Sequence, residues 1–482
     1  MMKEVKKAGV VGAGVMGAAI AAHLANAGIQ VVLLDIVPGE LTQDDKEKGY
    51  TKESREFRNK LAEKGLDIAL KSKPASFYLP ENARLITVGN MEDNWGLLGE
   101  VDWIIEVVLE RLDIKRSVFA KVEQVMSPKA IVTSNTSGIL ARSLCEGRSD
   151  NFRRNFAITH FFNPPRYMKL VEIVPGPDTS PEILESLAST CEKRLGKGVV
   201  FAKDTPNFVA NRIGVFNVLY TIRTMLELGL TIEAVDKLTG PVIGHPKSAT
   251  FRTADLVGLD TLVHVAQNVY DGVLTDEKRE TFKAPDLVRR MIDHNYLGEK
   301  TKQGFYKKSR DSEGNRVILS LDHDSLQYGP QEKVKLASLE MAKTMQGTAR
   351  KIESLYYARD VGGQFTFRTL TETLVYSANR ISEIADDIVN VDRAMKWGFG
   401  WKMGPFETWD ALGLEKSVGK IKDAGYEVPY WVQEMLDAGN PSFYKREAGV
   451  VYYYDVVSKD YKEVSVKPGI ILLPSLKERE KK

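Results

Sequence analysis

Residues 8 to 35 hold the feature that most restricts this chain: AGVVGAGVMG, AAIAAHLANAG and IQVVLLD read as strand, glycine turn, helix and strand, in that order. The turn is Gly12-x-Gly14-x-x-Gly17, and Asp35 closes the second strand 23 residues after Gly12. A glycine triplet alone is a weak signal, because many turns contain glycine. Set between a strand and a helix, with an acidic residue ending the next strand, it is the fingerprint of a dinucleotide-binding βαβ unit. Gly12 permits the tight turn, Gly14 lets the backbone approach a pyrophosphate, and Gly17 lets helix and strand pack closely. Val15 and Met16 open the helix, whose first N–H groups then point at the phosphates. Asp35 can accept both hydroxyls of a ribose and would repel a 2′-phosphate, and Ile36 and Val37 bring no cation to offset one. The expected cofactor is NAD rather than NADP.

A βαβ unit commits the first part of the chain to a parallel sheet. Strand-like ARLITV (83–88), VDWIIEVV (101–108), AIVTSN (130–135), FAITHFF (156–162) and LVEIVP (170–175) follow, with helical patterns between several of them. The expected fold class is α/β, a Rossmann-type doubly wound and mostly parallel sheet over residues 1–203. Residues 51–73, TKESREFRNKLAEKGLDIALKSK, are rich in helix formers and cationic on balance, and Pro74 punctuates their exit, which predicts a helical insertion.

From Asp204 the texture changes to helix-period segments that repeat. Tyr220, Glu227, Val235 and Asp236 recur as Tyr376, Glu383, Val391 and Asp392, each 156 positions on. Asp255 and Gly258-Leu259 recur as Asp410 and Gly413-Leu414, and Gly304-Phe305-Tyr306-Lys307 as Ser442-Phe443-Tyr444-Lys445. An ordered series of this length predicts two tandem all-α domains, 204–310 and 351–445, with a linker at 311–350 and a hairpin and tail at 446–482.

With 482 residues the chain exceeds what one hydrophobic core supports. Its 67 Lys and Arg against 65 Asp and Glu create no basic field, so neither nucleic acid nor a membrane surface is an expected partner. Two cysteines, Cys145 and Cys191, provide neither a disulfide framework nor zinc-ligand spacing, and no metal is expected. No window approaches 18 uninterrupted apolar residues and the N-terminus lacks the apolar core of a signal peptide, so the expected location is the cytoplasm.

The candidates for chemistry lie in SNTSG (134–138), HFFNPP (160–165), KLVEIV (169–174) and DTPNFVANR (204–212). Oxidising an alcohol by hydride removal requires its proton to leave as the carbonyl forms, and the neutral imidazole of His160 is suited to that at physiological pH. Glu172, on the neighbouring strand-like segment, could hold the other ring nitrogen, fix the tautomer and stabilise the imidazolium. Taken alone, His160 reads as a satisfied core residue, Ser137 as a helix N-cap and Asn211 as an interhelical hydrogen bond. Lys60, Lys64, Lys71 and Lys73, with Arg58, stud the insertion; each reads singly as a solvated face, and as a group they could neutralise phosphates.

These segments, in this order, together with the closing ETFKAPDLVRRMIDHNYLGEKTKQGFY, resemble the (S)-3-hydroxyacyl-CoA dehydrogenase family over residues 1 to about 310. The second repeat resembles the tandem C-terminal domains of longer fatty-oxidation proteins. The resemblance implies oxidation of an acyl-CoA 3-hydroxyl to the 3-oxo group with His160 as base and Glu172 as its orienting carboxylate. It further implies that Ser137 and Asn211 hold the substrate and that Glu110, Lys115 and Asn135 line the cofactor's ribose and nicotinamide. With such a substrate, the insertion's Arg58, Lys60, Lys64 and Lys71 are expected, from their charge, to meet the phosphates of coenzyme A. The family often carries a second serine after the first, and here that position is Gly138. Position 211 maps in the second repeat to Phe367 and no second glycine fingerprint precedes it, so the second repeat is expected to be structural and to make the chain a monomer with an internal pseudo-dimer. Longer relatives also imply an enoyl-CoA hydratase as partner or fused domain. Two other readings compete: a dehydrogenase of a small hydroxy acid or sugar acid of the gulonate type, which gives the basic insertion no task, and a non-catalytic NAD-binding protein, which gives His160 and Glu172 none.

Overall fold

The apolar runs of the first two hundred residues become strands buried on both faces, as a sheet covered by helices on each side requires. The computed structural model describes residues 4–466 together with Leu473 and Lys477; the rest of the expected tail lies outside the described residues. Two compact units result, Met1–Phe208 and Val209–Lys482.

In the first unit the order is β1 (Lys7–Val11), α1 (Val15–Asn26), β2 (Gln30–Asp35), α2 (Gln43–Glu47), α3 (Arg55–Arg58), α4 (Lys60–Lys71), β3 (Ile86–Asn90) and β4 (Trp103–Glu106). There follow α5 (Leu112–Val125), β5 (Ile131–Ser134), α6 (Ala141–Cys145), α7 (Asp150–Arg154), β6 (Phe156–Phe161), β7 (Leu170–Pro175), α8 (Pro181–Lys193) and β8 (Gly198–Phe201). The eight strands lie in the order β3-β2-β1-β4-β5-β6-β7-β8, doubly wound from β1. The run from β3 to β6 is parallel, β7 turns back antiparallel to β6, and β8, a short strand that the sequence reading does not separate out, follows β7 in parallel. The insertion forms α3 and α4, and α4 packs on α1. Gly65 of α4 lies so close to the glycine loop that a β-carbon there would stand 2.2 Å from the carbonyl oxygen of Ala13.

The second unit comprises α9 (Ala210–Leu228), α10 (Ile232–Thr239), α11 (Phe251–Val257), α12 (Leu259–Gly272), α13 (Asp286–Asp293) and a three-stranded sheet of β9 (Tyr306–Arg310), β10 (Arg316–Leu321) and β11 (Tyr328–Pro330). It continues with α14 (Ala337–Thr344), α15 (Thr348–Tyr356), α16 (Val361–Asn379), α17 (Ile388–Gly398), α18 (Pro405–Leu412), α19 (Leu414–Asp423) and α20 (Tyr430–Asp437). A second three-stranded sheet ends it, formed by β12 (Tyr444–Glu447), β13 (Val450–Asp455) and β14 (Asp460–Glu463).

The repeated residues do the same work twice. Asp236 accepts the N–H groups of Thr250 and Phe251 at 3.1 and 2.8 Å and the Tyr306 hydroxyl at 2.8 Å; Asp255 accepts the N–H groups of Phe305 and Tyr306 at 2.8 and 2.9 Å. In the second copy Asp392 accepts Phe406 and Glu407 at 2.9 and 3.1 Å and the Tyr444 hydroxyl at 2.8 Å, while Asp410 accepts Phe443 and Tyr444 at 2.8 and 2.9 Å. Each buried carboxylate thereby satisfies backbone donors that no helix or sheet ladder reaches.

The copies also meet as twofold-related partners would. Asn217 Nδ2 donates to Thr373 Oγ1 at 2.9 Å, and the rings of His245 and Trp401 stack at 4.1 Å; in both pairs a residue touches its own equivalent 156 positions on. Reciprocal pairs flank them: Arg212 binds Glu383, and Arg368, the equivalent of Arg212, binds Glu227, the equivalent of Glu383. Both properties define an isologous interface, here within one chain.

Candidate active site

β1 ends in the glycine loop, where Gly12 has φ +105° and a β-carbon would come 2.5 Å from the Val107 carbonyl oxygen. At Gly17 a β-carbon would fall 1.8 Å from the Gly12 carbonyl oxygen, so only glycine lets α1 start this close to the strand. Gly14, by contrast, opens onto free space and supplies no side-chain cap to α1. A concave stretch of backbone backed by a twelve-residue helix is what a pyrophosphate needs, and it fits the NAD expected from the sequence. Asp35 stands at the end of β2, where its two oxygens accept the N–H groups of Ala13 and Ile36, each at 2.7 Å. The carboxylate therefore ties the loop down and keeps lone pairs for ribose hydroxyls. Beside it is a cleft of about 380 Å³ whose lining includes Ile36, Val37, Met91, Trp95 and Ile114.

A buried polar chain connects β4 to the loop after β5. Lys115, on α5, donates to both oxygens of Glu106 at 2.8 and 3.1 Å and lies 3.2 Å from Glu110. Glu106 also accepts the Ser134 hydroxyl at 2.5 Å and the Val108 N–H at 2.7 Å. Burial pushes the Glu106 carboxyl above its ordinary range in spite of these partners. Burial would raise Glu110 as well, but the Lys115 charge and bonds from Thr136 and Ser137 outweigh it and hold that carboxyl below the usual range. Glu110 accepts the N–H of Ser137 at 2.9 Å and so shapes the turn that presents the serine. Asn135 accepts the Phe161 N–H at 2.9 Å, joining that turn to the end of β6. Glu106, Ser134 and Thr136 carry no assigned role in the sequence, although Ser134 and Thr136 stand in the candidate segment SNTSG and Glu106 is a lone carboxylate inside the apolar run WIIEVV.

His160 and Glu172 are direct partners in the antiparallel pairing of β6 and β7. Opposed residues of such a pair share a face with their β-carbons about 5 Å apart, so the register alone brings imidazole and carboxylate together. His160 Nδ1 lies 2.7 Å from Glu172 Oε2, and His160 Nε2 lies 3.2 Å from Ser137 Oγ. His160 is 4% and Glu172 0% exposed, and the rings of Phe162 and Phe208 pack on the imidazole at 4.6 and 5.6 Å. With the carboxylate holding the proton on Nδ1, Nε2 keeps its lone pair and the Ser137 hydroxyl donates to it. An alcohol in place of that bond would find a base already oriented.

Asn211 belongs to the second unit, half-buried in the first turn of α9. The insertion's cations are partly engaged: Arg58 donates to Asp93 at 2.6 and 2.8 Å and to Glu92 at 2.8 Å, Lys60 to Asp45 at 2.5 Å, and Lys71 to Asp67 at 2.8 Å. Lys64, exposed on α4, has no such carboxylate among the described residues.

The profile of the 3-hydroxyacyl-CoA dehydrogenase NAD-binding domain matches residues 7–205, and that of the same family's C-terminal domain matches residues 208–308 and 363–453. A Bacillus subtilis protein named probable 3-hydroxyacyl-CoA dehydrogenase is 50% identical over 478 residues, 99% of this chain and 60% of that protein. The chain therefore spans well under two thirds of that relative's length. A Deinococcus radiodurans protein of the same name is 48% identical over 308 residues, 64% of this chain and 84% of the relative. The crystal structure of 3-hydroxybutyryl-CoA dehydrogenase from Escherichia coli K12 shares the fold at TM-score 0.61 and 21% identity, covering 91% of this chain and all of that one. Two domain profiles in order across most of the chain, on one sheet that carries both a glycine loop and a strand-register dyad, place it: the chain belongs to the 3-hydroxyacyl-CoA dehydrogenase family.

Proposed function

We propose that the protein oxidises the 3-hydroxyl of an (S)-3-hydroxyacyl-CoA to the 3-oxo group. The observation that carries the reading is the chain from Ser137 Oγ through His160 to Glu172, at 3.2 and 2.7 Å. NAD, when bound, supplies the hydride acceptor. His160 Nε2 takes the hydroxyl proton as the carbonyl forms, and Glu172 accepts the Nδ1–H and stabilises the imidazolium. Ser137 and Asn211 are the groups assigned to the substrate, Ser137 by its bond to Nε2. Phe162 and Phe208 keep water from the imidazole. For the cofactor, Gly12, Gly14, Val15, Met16 and Gly17 offer backbone to the pyrophosphate, Asp35 the ribose contact, and Ile36, Val37 and Met91 the apolar side of a cleft for the adenine that Glu92, Asp113 and Lys121 also line. Glu110, Lys115 and Asn135 set the nicotinamide side by fixing the turn at Ser137. Lys64 is the insertion's first candidate for the coenzyme A phosphates and Lys71 the second, since Arg58 and Lys60 are held by acids that lie beyond the insertion. The reading includes fatty-acid oxidation in the cytoplasm, with an enoyl-CoA hydratase as the partner activity.

The test is His160→Gln, assayed at 340 nm with acetoacetyl-CoA and NADH beside NADPH. Turnover should fall by about 10² to 10⁴ fold with NADH binding intact, and the unsubstituted protein should prefer NADH. Turnover within a few fold of normal would remove His160 from the mechanism.

The reading also makes residues 351–445 an internal partner for 204–310, so that the chain is a monomer. Covalent linkage gives the pair an effective concentration of roughly millimolar, enough to keep a modest interface closed. Sedimentation of dilute protein should report 53.9 kDa; a two-chain species at every dilution would contradict it.

A further inference from the structure

The twofold relation within the second unit is broken beside Asn211. On one side Arg212 is 0% exposed, with Nε donating to the Tyr376 hydroxyl at 2.5 Å and Nη2 to Asp276 and Glu383 at 2.6 and 3.0 Å. The Tyr376 hydroxyl donates in turn to Asp276 at 2.8 Å, and Arg380 approaches Asp276 and Glu383 at 3.3 and 3.0 Å. On the other side, the equivalent Arg368 pairs with Glu227 at the surface, 28% and 56% exposed. The elaborated side is the one whose neighbouring residue is Asn211; on the plain side that neighbour is Phe367, packed on Tyr356 and Tyr426.

The first turn of α9 begins at Val209, which has no side-chain group to cap it, and carries no acid to complement the helix dipole. Two contacts from the second copy brace the turn that follows Asn211. One is the cluster around Arg212, whose Tyr376 ring also stacks on Phe216 at 3.9 Å and 6°. The other is Phe399, whose ring sits where a β-carbon of Gly214 would be, 1.9 Å from it.

We propose that Tyr376, Arg380 and Glu383 of the second repeat are positioning residues for Asn211: through Arg212 they set the angle at which the first turn of α9 presents that amide to the substrate. The second repeat is then part of the catalytic apparatus and not only a structural copy. This rests on the reading of Asn211 given above. Misplacement of a substrate-holding group by about 1 Å can cost about 10² in rate, so the expected effects are large for residues remote from the bond that breaks.

The experiment uses the full chain with acetoacetyl-CoA and NADH. Tyr376→Phe keeps the ring on Phe216 and removes only the hydroxyl; Glu383→Gln removes only charge, and Glu383→Asp restores it. Tyr376→Phe and Glu383→Gln should each lower kcat by about 10 to 100 fold with little change in the dissociation constant of NADH. Glu383→Asp should recover part of the loss, and Glu227→Gln, on the plain side, should leave kcat within twofold. Asn211→Ala should cost much less in the Tyr376→Phe background than alone, a coupling that general loosening of the fold would not produce. Normal kcat in both Tyr376→Phe and Glu383→Gln, or losses that simply add to that of Asn211→Ala, would overturn the proposal. Normal kcat for Asn211→Ala alone would overturn the reading of Asn211 and the proposal with it. Should Glu383→Gln fail to fold, Tyr376→Phe and Arg380→Lys decide the matter.

Discussion

Arg212 and Arg368 are the same residue of the same repeat, each bound to the glutamate that the other copy places opposite, yet one is sealed in the interior and the other lies at the surface. The aspartate tethers at Asp236 and Asp392, and at Asp255 and Asp410, are by contrast alike to within about 0.1 Å in the bonds they share, to Phe251 and Phe406, to the Tyr306 and Tyr444 hydroxyls and to the backbone of Phe305-Tyr306 and Phe443-Tyr444. What both copies share is what holds a copy together: carboxylates that satisfy backbone donors with no other partner. Where they differ is beside Asn211. The difference teaches that a buried ion pair is better read as a device for holding one geometry than as a source of stability, because desolvation consumes most of what the attraction returns.

That comparison can be broken first at the arginines. Arg212→Ala leaves Asp276, itself 0% exposed, short of its closest cation and should cost about 3 to 5 kcal/mol; Arg368→Ala should cost no more than about 1 kcal/mol. Urea midpoints of the two variants measure this, and equal losses would mean that burial does not separate the two sides. A smaller effect is expected at Gly214, where a methyl group collides with the Phe399 ring, whereas the equivalent Leu370 is accommodated at 6% exposure. Gly214→Ala should lose about 1 to 3 kcal/mol as the ring is pushed aside. An unchanged midpoint would show that Phe399 yields freely and does not brace α9.

The smallest effect probes where the copies agree. Burial pushes the Asp255 carboxyl up to about 6 and Asp410 up to about 7, against the bonds from the backbone that oppose it. Between pH about 4 and those values the folded chain keeps a proton that the unfolded chain has released, so this contribution to stability is present at low pH and is lost as pH rises through the window. Each carboxyl accounts for at most about 1.4 kcal/mol per pH unit. Asp255→Asn and Asp410→Asn should lower Tm and also flatten its fall between pH 4 and 7, the second over a slightly wider range. A slope that survives both substitutions belongs to other groups.

The amino-acid sequence by itself determined the periodic and local features. The glycine loop is legible because only glycine tolerates φ +105° at Gly12 and the contact at Gly17, and the helical insertion because helix formers predominate over about twenty residues up to a proline. The repeat is legible because buried aspartates with fixed tasks must recur at fixed spacing. His160 and Glu172 were visible as residue types, though nothing in their twelve-residue separation says that they touch. Tertiary structure alone decided that: β7 turns antiparallel to β6 in the one register that puts them opposite each other, and a slip of one residue would send the carboxylate to the other face. It also decided that Lys115 spends its charge on Glu106 and Glu110, that Arg58 and Lys60 are occupied by acids beyond the insertion, and that Arg212 is buried while Arg368 is not. In each case the outcome depends on which group the chain brings near in space, and the energy of a charge is set by its neighbours and its distance from water, quantities that no local pattern of residues encodes.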